Sequence, residues 1–225
     1  MRSLLLCFLS VLACSVALPA SADRSPSPLY PAGTALPGTA LPQLSARWWQ
    51  WAVAFPGVRD STGAYCADGQ EDSAWFLAGA FNPTRLERTC TVSHDRPLFF
   101  PLAMAAFWPS RNEPAASCAD SLKESRLPDD PALEPFAELD GAPLAAPQEL
   151  RAHRVTTADC FDAYARLPAG ASLPGRGHPA STDGYWLLLH PLSPGPHTLR
   201  FGARYTAING QVLLVQDTTY HLVVE

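Results

Sequence analysis

The sequence predicts a mainly β fold, an antiparallel two-sheet sandwich or jelly roll with one N-terminal helix and a short helical insertion. Three observations lead to this prediction. Short aromatic or β-branched runs recur at roughly ten-residue spacing and are separated by turn residues. The chain contains 23 prolines, which interrupt longer elements. No alternation of strands with helices, as in a parallel α/β sheet, is present.

The first 22 residues have the features of an export signal. Arg2 precedes an apolar run from Leu4 to Leu18, and Ala20-Ser21-Ala22 supplies the small residues that a signal peptidase requires. We expect cleavage after Ala22 and a soluble, secreted or periplasmic product. Val11 to Cys14 loosely matches a lipobox, so a lipoprotein anchored at Cys14 is the alternative. The apolar run is shorter than a bilayer span, and no transmembrane segment is expected.

Residues 23–42 are predicted to form a Pro-rich disordered tether. Prolines alternate there with small residues, and few large apolar side chains could offset the entropy lost on ordering. Residues 43–225 are predicted to be a single disulfide-stapled domain, because this length is sufficient for a substantial core.

The cysteines beyond the signal indicate disulfides. There are four of them, an even number that favours two disulfides in an exported chain: Cys66, Cys90, Cys118 and Cys160. Of the three connectivities, we favour Cys66–Cys90 and Cys118–Cys160, since this pairing staples successive parts of the chain. A zinc site or a thiol nucleophile is the alternative, but no C-x-x-C motif supports it.

The first predicted element is a helix from Gln43 to Phe55. Four apolar residues recur there at helical spacing and form one stripe: Leu44, Trp48, Trp51 and Phe55. Pro56 with Gly57 ends the helix. Trp49 falls on another side, so the helix is expected to be deeply buried or partly exposed to a ligand.

The runs from Trp75 to Phe81, from Arg88 to Ser93 and from Leu98 to Phe107 predict three consecutive antiparallel strands. After them, Cys118 to Arg126 has the composition of a short helix. Asp140-Gly141 predicts a hairpin turn between flanking strands.

A further strand is predicted from Glu149 to Val155. The strand pattern is clearest in the last part of the chain, from Tyr185 onward. Tyr185 to His190 and His197 to Arg204 are expected to form a hairpin around the turn at 191–196. Val212 to Val224 then closes the sandwich.

Several motifs resemble those of a group of uncharacterised exported bacterial β-rich proteins. They cover most of the mature chain and are strongest at the following places: Trp48-Trp49-Gln50-Trp51, Thr62 to Cys66 with Gly69-Gln70, Trp75 to Gly79, Arg88 to Val92, Asp183 to Trp186, Pro194 to Thr198 and Thr219 to Leu222. The resemblance implies a signal peptide and a β-rich fold, and it implies no activity.

Composition excludes some function classes. The net charge is −5 and no basic stripe is present, which argues against a nucleic acid partner. No G-x-S-x-G, H-E-x-x-H or comparable signature occurs, so a non-catalytic module without a cofactor is favoured over an enzyme.

Exposed aromatic residues and strand histidines are the candidate ligand-binding groups. Aromatic rings can stack on sugar rings or other flat ligands, although core packing is the alternative for each of them. The candidates are Trp49, Trp108, Tyr185, His190, His197 and His221. The sequence therefore predicts an exported binding or interaction module for a carbohydrate or cell-envelope component.

The alternative function is an envelope-active hydrolase or lyase that takes His and Asp residues from separate strands. Two places in the sequence offer metal ligands. His190 and His197 flank the turn at 191–196, and Asp217, Thr219 and His221 share one face of the last predicted strand, so a two- or three-ligand site could be assembled from them. The acidic loop from Asp68 to Asp72 offers oxygen ligands for calcium. Neither matches an established motif, so no metal site is predicted.

Overall fold

The computed structural model describes residues 27–110, 116–129, 131–171, 173–207 and 209–225. The predicted signal segment and Cys14 lie outside this part of the chain. In the described residues the elements are α1 (Leu41–Ala54), a 3₁₀ turn (Pro56–Arg59), β1 (Trp75–Phe76), β2 (Arg85–Val92), β3 (Leu98–Phe107), α2 (Cys118–Glu124), β4 (Leu133–Leu139), β5 (Ala142–Pro143), α3 (Pro147–Arg151), β6 (Arg154–Thr156), β7 (Ser181–Leu189), β8 (Gly195–Thr206) and β9 (Val212–Val224).

The strands form two sheets that pack face to face, which confirms the predicted β-rich two-sheet sandwich. One sheet has four strands in the order β1-β3-β7-β6, and the other has five in the order β2-β9-β8-β4-β5. Both sheets are mixed, because β1 pairs with β3 and β2 pairs with β9 in parallel. The prediction that the first three strands are consecutive and antiparallel is wrong, since β2 leaves the first sheet to pair with the C-terminal strand.

The predicted hairpin around residues 191–196 is also wrong. β7 belongs to the four-stranded sheet and β8 to the five-stranded sheet, so this segment crosses between the sheets. The hairpin partner of β8 is β9. The Asp140-Gly141 turn is confirmed: both residues have positive φ, 53° and 79°, and Leu139 pairs with Ala142. The predicted strand at 149–155 is shortened to β6, because its first residues belong to α3.

The central strand β7 is buried on both of its faces, and every residue from Ser181 to Leu189 is buried. Tyr185, Leu187 and Leu189 belong to the core between the two sheets. Trp186 and Leu188 alternate with them and pack in a second core under α1. The fold therefore has three layers, with α1, the four-stranded sheet and the five-stranded sheet in that order.

The apolar stripe of α1 supplies the outer layer, as its spacing predicts. Trp48 and Trp51 are fully buried. Their indole N–H groups donate to the Leu77 carbonyl at 3.0 Å and the Asp68 carbonyl at 2.7 Å, so neither buried donor is left unpaired. The helix begins at Leu41 and ends where Pro56 starts the 3₁₀ turn.

The segment before α1 differs from the predicted tether. Leu29 forms a bridge with Leu189, and the Tyr30 N–H donates to the Leu188 carbonyl at 2.9 Å. Leu29, Leu36 and Leu41 are all buried. These few apolar side chains are enough to hold residues 27–42 against the sheet, so this described part of the segment is ordered.

Both predicted disulfides are confirmed. Cys66–Cys90 joins the loop after α1 to β2, and Cys118–Cys160 joins α2 to the loop after β6. Among the described residues, no helix has the length and apolarity needed to cross a membrane.

Trp186 provides a test of the core under α1. Its ring stacks on Phe99 with centroids 5.2 Å apart, and no acceptor among the described residues pairs with its buried Nε1–H. Trp186→Ala should lower the free energy of unfolding by about 3–5 kcal/mol because it leaves a large cavity. Trp186→Phe should cost less than half as much, since it keeps a stacked ring and removes an unpaired donor. Chemical denaturation measures both, and equal losses would contradict this account of the core.

Candidate functional site

Trp49 and Trp108 contact each other, although 59 residues of sequence separate them. Their ring centroids lie 5.7 Å apart in an edge-to-face arrangement. Phe81 lies 6.0 Å from Trp49, and Tyr164 lies 6.4 Å from Trp108. All four side chains are half-buried. We call this group of Trp49, Phe81, Trp108 and Tyr164 the aromatic surface.

The aromatic surface is held in place by polar contacts. The Trp49 Nε1–H donates to Thr182 Oγ1 at 2.9 Å, and the Thr182 hydroxyl donates to the Ala105 carbonyl at 2.7 Å. Trp108 directly follows the end of β3, so the strand places its ring beside α1. The helix and the four-stranded sheet therefore fix one tryptophan each.

Tyr164 is fixed from the other side. Its hydroxyl donates to the Pro174 carbonyl. Gly177 approaches the ring closely: it has a φ of 69°, and a Cβ there would lie 2.6 Å from ring atoms of Tyr164. Only glycine accepts this conformation at this distance without strain.

A second group of polar residues surrounds His197. Asp140 Oδ2 lies 2.8 Å from His197 Nδ1, and His197 Nε2 lies 3.0 Å from the Ser193 carbonyl oxygen and 3.2 Å from Ser193 Oγ. The Asp140 carboxylate also accepts the Thr198 N–H at 2.8 Å. Burial alone would raise the pKa of Asp140, but the hydrogen bonds from Thr198 and His197 and the His197 charge lower it overall. We call Asp140, Ser193 and His197 the His197 triad.

The predicted histidines occupy two places. His197 and His221 line one shallow cleft of about 220 Å³, together with Thr89, Asp140, Pro196, Thr198, Leu222 and Val223. His190 lies elsewhere and stacks on Tyr30 with ring centroids 3.6 Å apart.

Tyr185, which the sequence predicts as a ligand-binding residue, is instead a core residue. It is 1% exposed and belongs to the core between the two sheets. Arg151 covers its ring at 5.7 Å. The sequence of β7 does not show that Tyr185 is buried, because a strand buried on both faces lacks the alternation of apolar and polar residues that separates inside from outside. The six predicted residues therefore do not form one site.

At both possible metal sites, a carboxylate is paired with arginine side chains. Asp217 accepts hydrogen bonds from Arg85 at 2.9 Å and from Arg200 at 3.0 Å. In the acidic loop, Asp72 pairs with Arg47 at 3.5 Å and with Arg166 at 3.1 Å. Over the described residues, no group of three or more His, Cys, Asp or Glu side chains is placed to hold a metal ion.

Comparison of the chain with protein-family models, with curated proteins and with solved structures gives no match. Any function must therefore be argued from the residues and their geometry.

The sequence carries little signal for several residues of both groups. Phe81 and Tyr164 carry no periodic signal that marks them as surface aromatics. The sequence marks Asp140 only as a turn residue and gives no sign of a role for Ser193. The Asp-Gly turn could have pointed to a fixed carboxylate, but its partner on β8 is 57 residues away in sequence.

Asp183, near the start of β7, is the centre of a buried polar network. Asp183 is completely buried. Its carboxylate accepts hydrogen bonds from Arg154 at 2.7 Å, from Thr156 at 2.8 Å and from the Leu127 N–H at 2.9 Å. Burial alone would raise the pKa of Asp183, but the bonds from Arg154, Thr156 and Leu127 lower it overall. This carboxylate therefore ties β6 and the segment after α2 to β7.

Asp183 predicts how stability changes in acid. Because its folded-state pKa lies below the unfolded value of about 4, the ionised carboxylate stabilises the fold at neutral pH. This contribution is lost as the pH falls from that value through the folded-state pKa. Asp183→Asn should be less stable than wild type at pH 7 and should lose less stability on acidification, as measured by denaturation at a series of pH values.

Thr156→Val is the matched control. It removes one hydrogen bond to Asp183 and no charge, so the folded-state pKa rises and stability is lost at a higher pH than in wild type. An Asp183→Asn variant with the wild-type pH dependence would contradict the assignment.

Proposed function

We propose that this protein is an exported binding module whose aromatic surface binds a carbohydrate or another cell-envelope component. One observation carries the proposal. Trp49 and Trp108, the two tryptophans among the candidate ligand-binding residues, have ring centroids 5.7 Å apart and are both half-buried.

The chemistry of the aromatic surface fits such a ligand. Half-buried rings offer apolar area to the flat face of a sugar, and they lose little entropy on binding because they are already fixed. Polar groups flank the rings: Gln50 on α1 donates to the Asp162 carbonyl at 2.9 Å, and the Asp162 carboxylate accepts the Tyr164 N–H at 2.8 Å. Aromatic rings with a few fixed polar groups beside them are typical of small-ligand sites.

The expected compartment agrees with this proposal. Two disulfides fit an oxidising environment outside the cytoplasm. With the export signal predicted at residues 1–22, the mature protein would meet envelope polysaccharides in the periplasm or outside the cell.

Trp108→Ala tests the proposal. A glycan array with wild-type protein identifies the ligand, and titration with that ligand should show about tenfold weaker binding for the variant, a loss of about 1.4 kcal/mol. The melting temperature should change little, because Trp108 lies beyond the end of β3.

Trp75→Phe is the matched control, since it alters a half-buried tryptophan that lies under Arg96 and outside the aromatic surface. Its binding should equal that of wild type. If no glycan binds, or if Trp108→Ala binds as tightly as wild type, the proposal fails.

The His197 triad favours a second candidate function, hydrolysis of an ester in the cell envelope. Asp140 and His197 come from separate strand ends and are joined at 2.8 Å, with Ser193 at 3.2 Å on the other side of the ring. This order of carboxylate, imidazole and hydroxyl matches the arrangement by which hydrolases activate a serine. To accept the Ser193 proton, Nε2 must leave its 3.0 Å contact with the Ser193 carbonyl oxygen.

The chemical step would proceed as follows. His197 Nε2 takes the proton of the Ser193 hydroxyl while Oγ forms a bond to the ester carbonyl carbon. The ester C–O bond then breaks, and the alcohol leaves with that proton. Water attacks the acyl-serine and releases the acid, while Asp140 stabilises the imidazolium that forms in each half-reaction.

Ser193→Ala and His197→Gln test this candidate with p-nitrophenyl acetate and an acetylated polysaccharide as substrates. Each variant should lower kcat/KM about a thousandfold if the triad acts as one unit. His221→Gln is the control, because His221 lines the same cleft as His197 but is not part of the His197 triad. Wild-type protein that releases no acetate, or activity that survives Ser193→Ala, would exclude the candidate.

A further inference from the structure

We propose that the chain pairs with a second copy of itself through a free strand edge at the end of the β8–β9 hairpin. β9 begins at Val212, but its neighbour β2 starts only opposite Asp217. On that side of β9, no described segment pairs with the residues from Val212 to Gln216. We call residues 212–216 the β9 overhang. The unpaired backbone N–H and C=O groups of such an edge are a template for another strand.

The β9 overhang also presents apolar side chains to solvent. Val212 is 59% exposed and Leu213 is 44% exposed, and among the described side chains the other exposed large hydrophobic residues are Tyr65 and Val223. The sequence from Tyr205 to Gln216 contains no charged residue and no proline. The overhang therefore lacks the charges and prolines with which proteins keep a strand edge from pairing.

Other edges in the two sheets are short, charged or covered. β1, β5 and β6 have two, two and three residues. β2 carries three charged residues, and on its outer side the Thr89 N–H donates to the Thr62 carbonyl at 2.9 Å. β4 extends past β5 but contains Glu134 and Pro135 there. β3 extends past β1, but none of its side chains is exposed. The β9 overhang therefore differs from these edges in combining unpaired backbone with exposed apolar side chains.

A second copy of the chain fits this edge. Two identical strands can pair antiparallel about a two-fold axis perpendicular to the sheet, and a single contact then covers both free edges. Val212 to Leu214 form the regular part of the overhang, because the bulge in their ladder with β8 lies beyond Leu214. A pair centred on this part places Leu213 opposite Leu213 of the second copy, on the same face of the sheet. Since the overhang is uncharged, the two copies do not repel each other there.

The size of the contact sets how the two copies associate. A short strand pair buries less surface than the interface of a permanent dimer, so the dimer should form and dissociate with protein concentration. A two-fold contact uses the overhang of both copies, so it closes at two chains and does not continue into a fibre. The overhang contains no residue of the aromatic surface or of the His197 triad, so this inference is independent of both proposed functions.

Sedimentation velocity of the purified protein over a range of concentrations tests the inference. Wild type should change from one chain to two as the concentration rises. Leu213→Lys and Leu213→Glu should each weaken the dimer by about tenfold or more, because each places like charges directly opposite each other. An equimolar mixture of the two variants should regain the dimer, since opposite charges then face each other across the strand pair.

Val223→Lys is the matched control. Val223 is another exposed apolar residue of β9, but it has a strand neighbour on each side, Thr91 and Pro196. This variant should dimerise like wild type. A dimer regained in the mixture also shows that both Leu213 variants fold. Wild type that stays a single chain at every concentration, a dimer that survives in either Leu213 variant alone, or a mixture that stays monomeric would overturn the inference.

Discussion

The double-sided burial of β7 is the constraint on which the rest of the structure depends. A strand that is apolar on both faces needs a layer on each side. The five-stranded sheet covers one face through Phe201, Tyr220 and their neighbours, and α1 covers the other through Trp48. The tryptophan-rich helix is therefore a third layer of the sandwich. The segment before it is held at two places, because Leu29 pairs with Leu189 of β7 while Leu36 and Leu41 pack in the core under α1.

The polar residues at the start of β7 position the aromatic surface and the elements on the opposite face of the sheet. Successive side chains of a strand point to opposite faces, so Thr182 and Asp183 reach different neighbours. Thr182 binds the indole of Trp49, while Asp183 binds Arg154 and the Leu127 N–H. A carboxylate and a hydroxyl buried here require partners. Those partners position the aromatic surface on one side of β7 and tie β6 and the segment after α2 to the other side.

The crossing from β7 to β8 has a separate consequence. Because the chain passes from one sheet to the other there, Ser193 and His197 come against the turn that follows β4. The left-handed conformation at Asp140 in that turn presents the carboxylate to His197 Nδ1 and to the Thr198 N–H. The contacts that join the turn to β8 are thus the same contacts that orient the imidazole toward Ser193.

The sequence by itself determined the features that depend on near neighbours in the chain: the helix around Trp48 from its spacing, the turn at Asp140 from its residue pair, and the disulfides from their number and order. Tertiary structure alone decided which sheet each strand joins, because strand pairing links residues far apart in sequence and similar strands can pair in many ways. It also decided that Tyr185 is core and that Trp49 meets Trp108. Periodicity shows which face of an element is apolar, and only packing shows what that face touches.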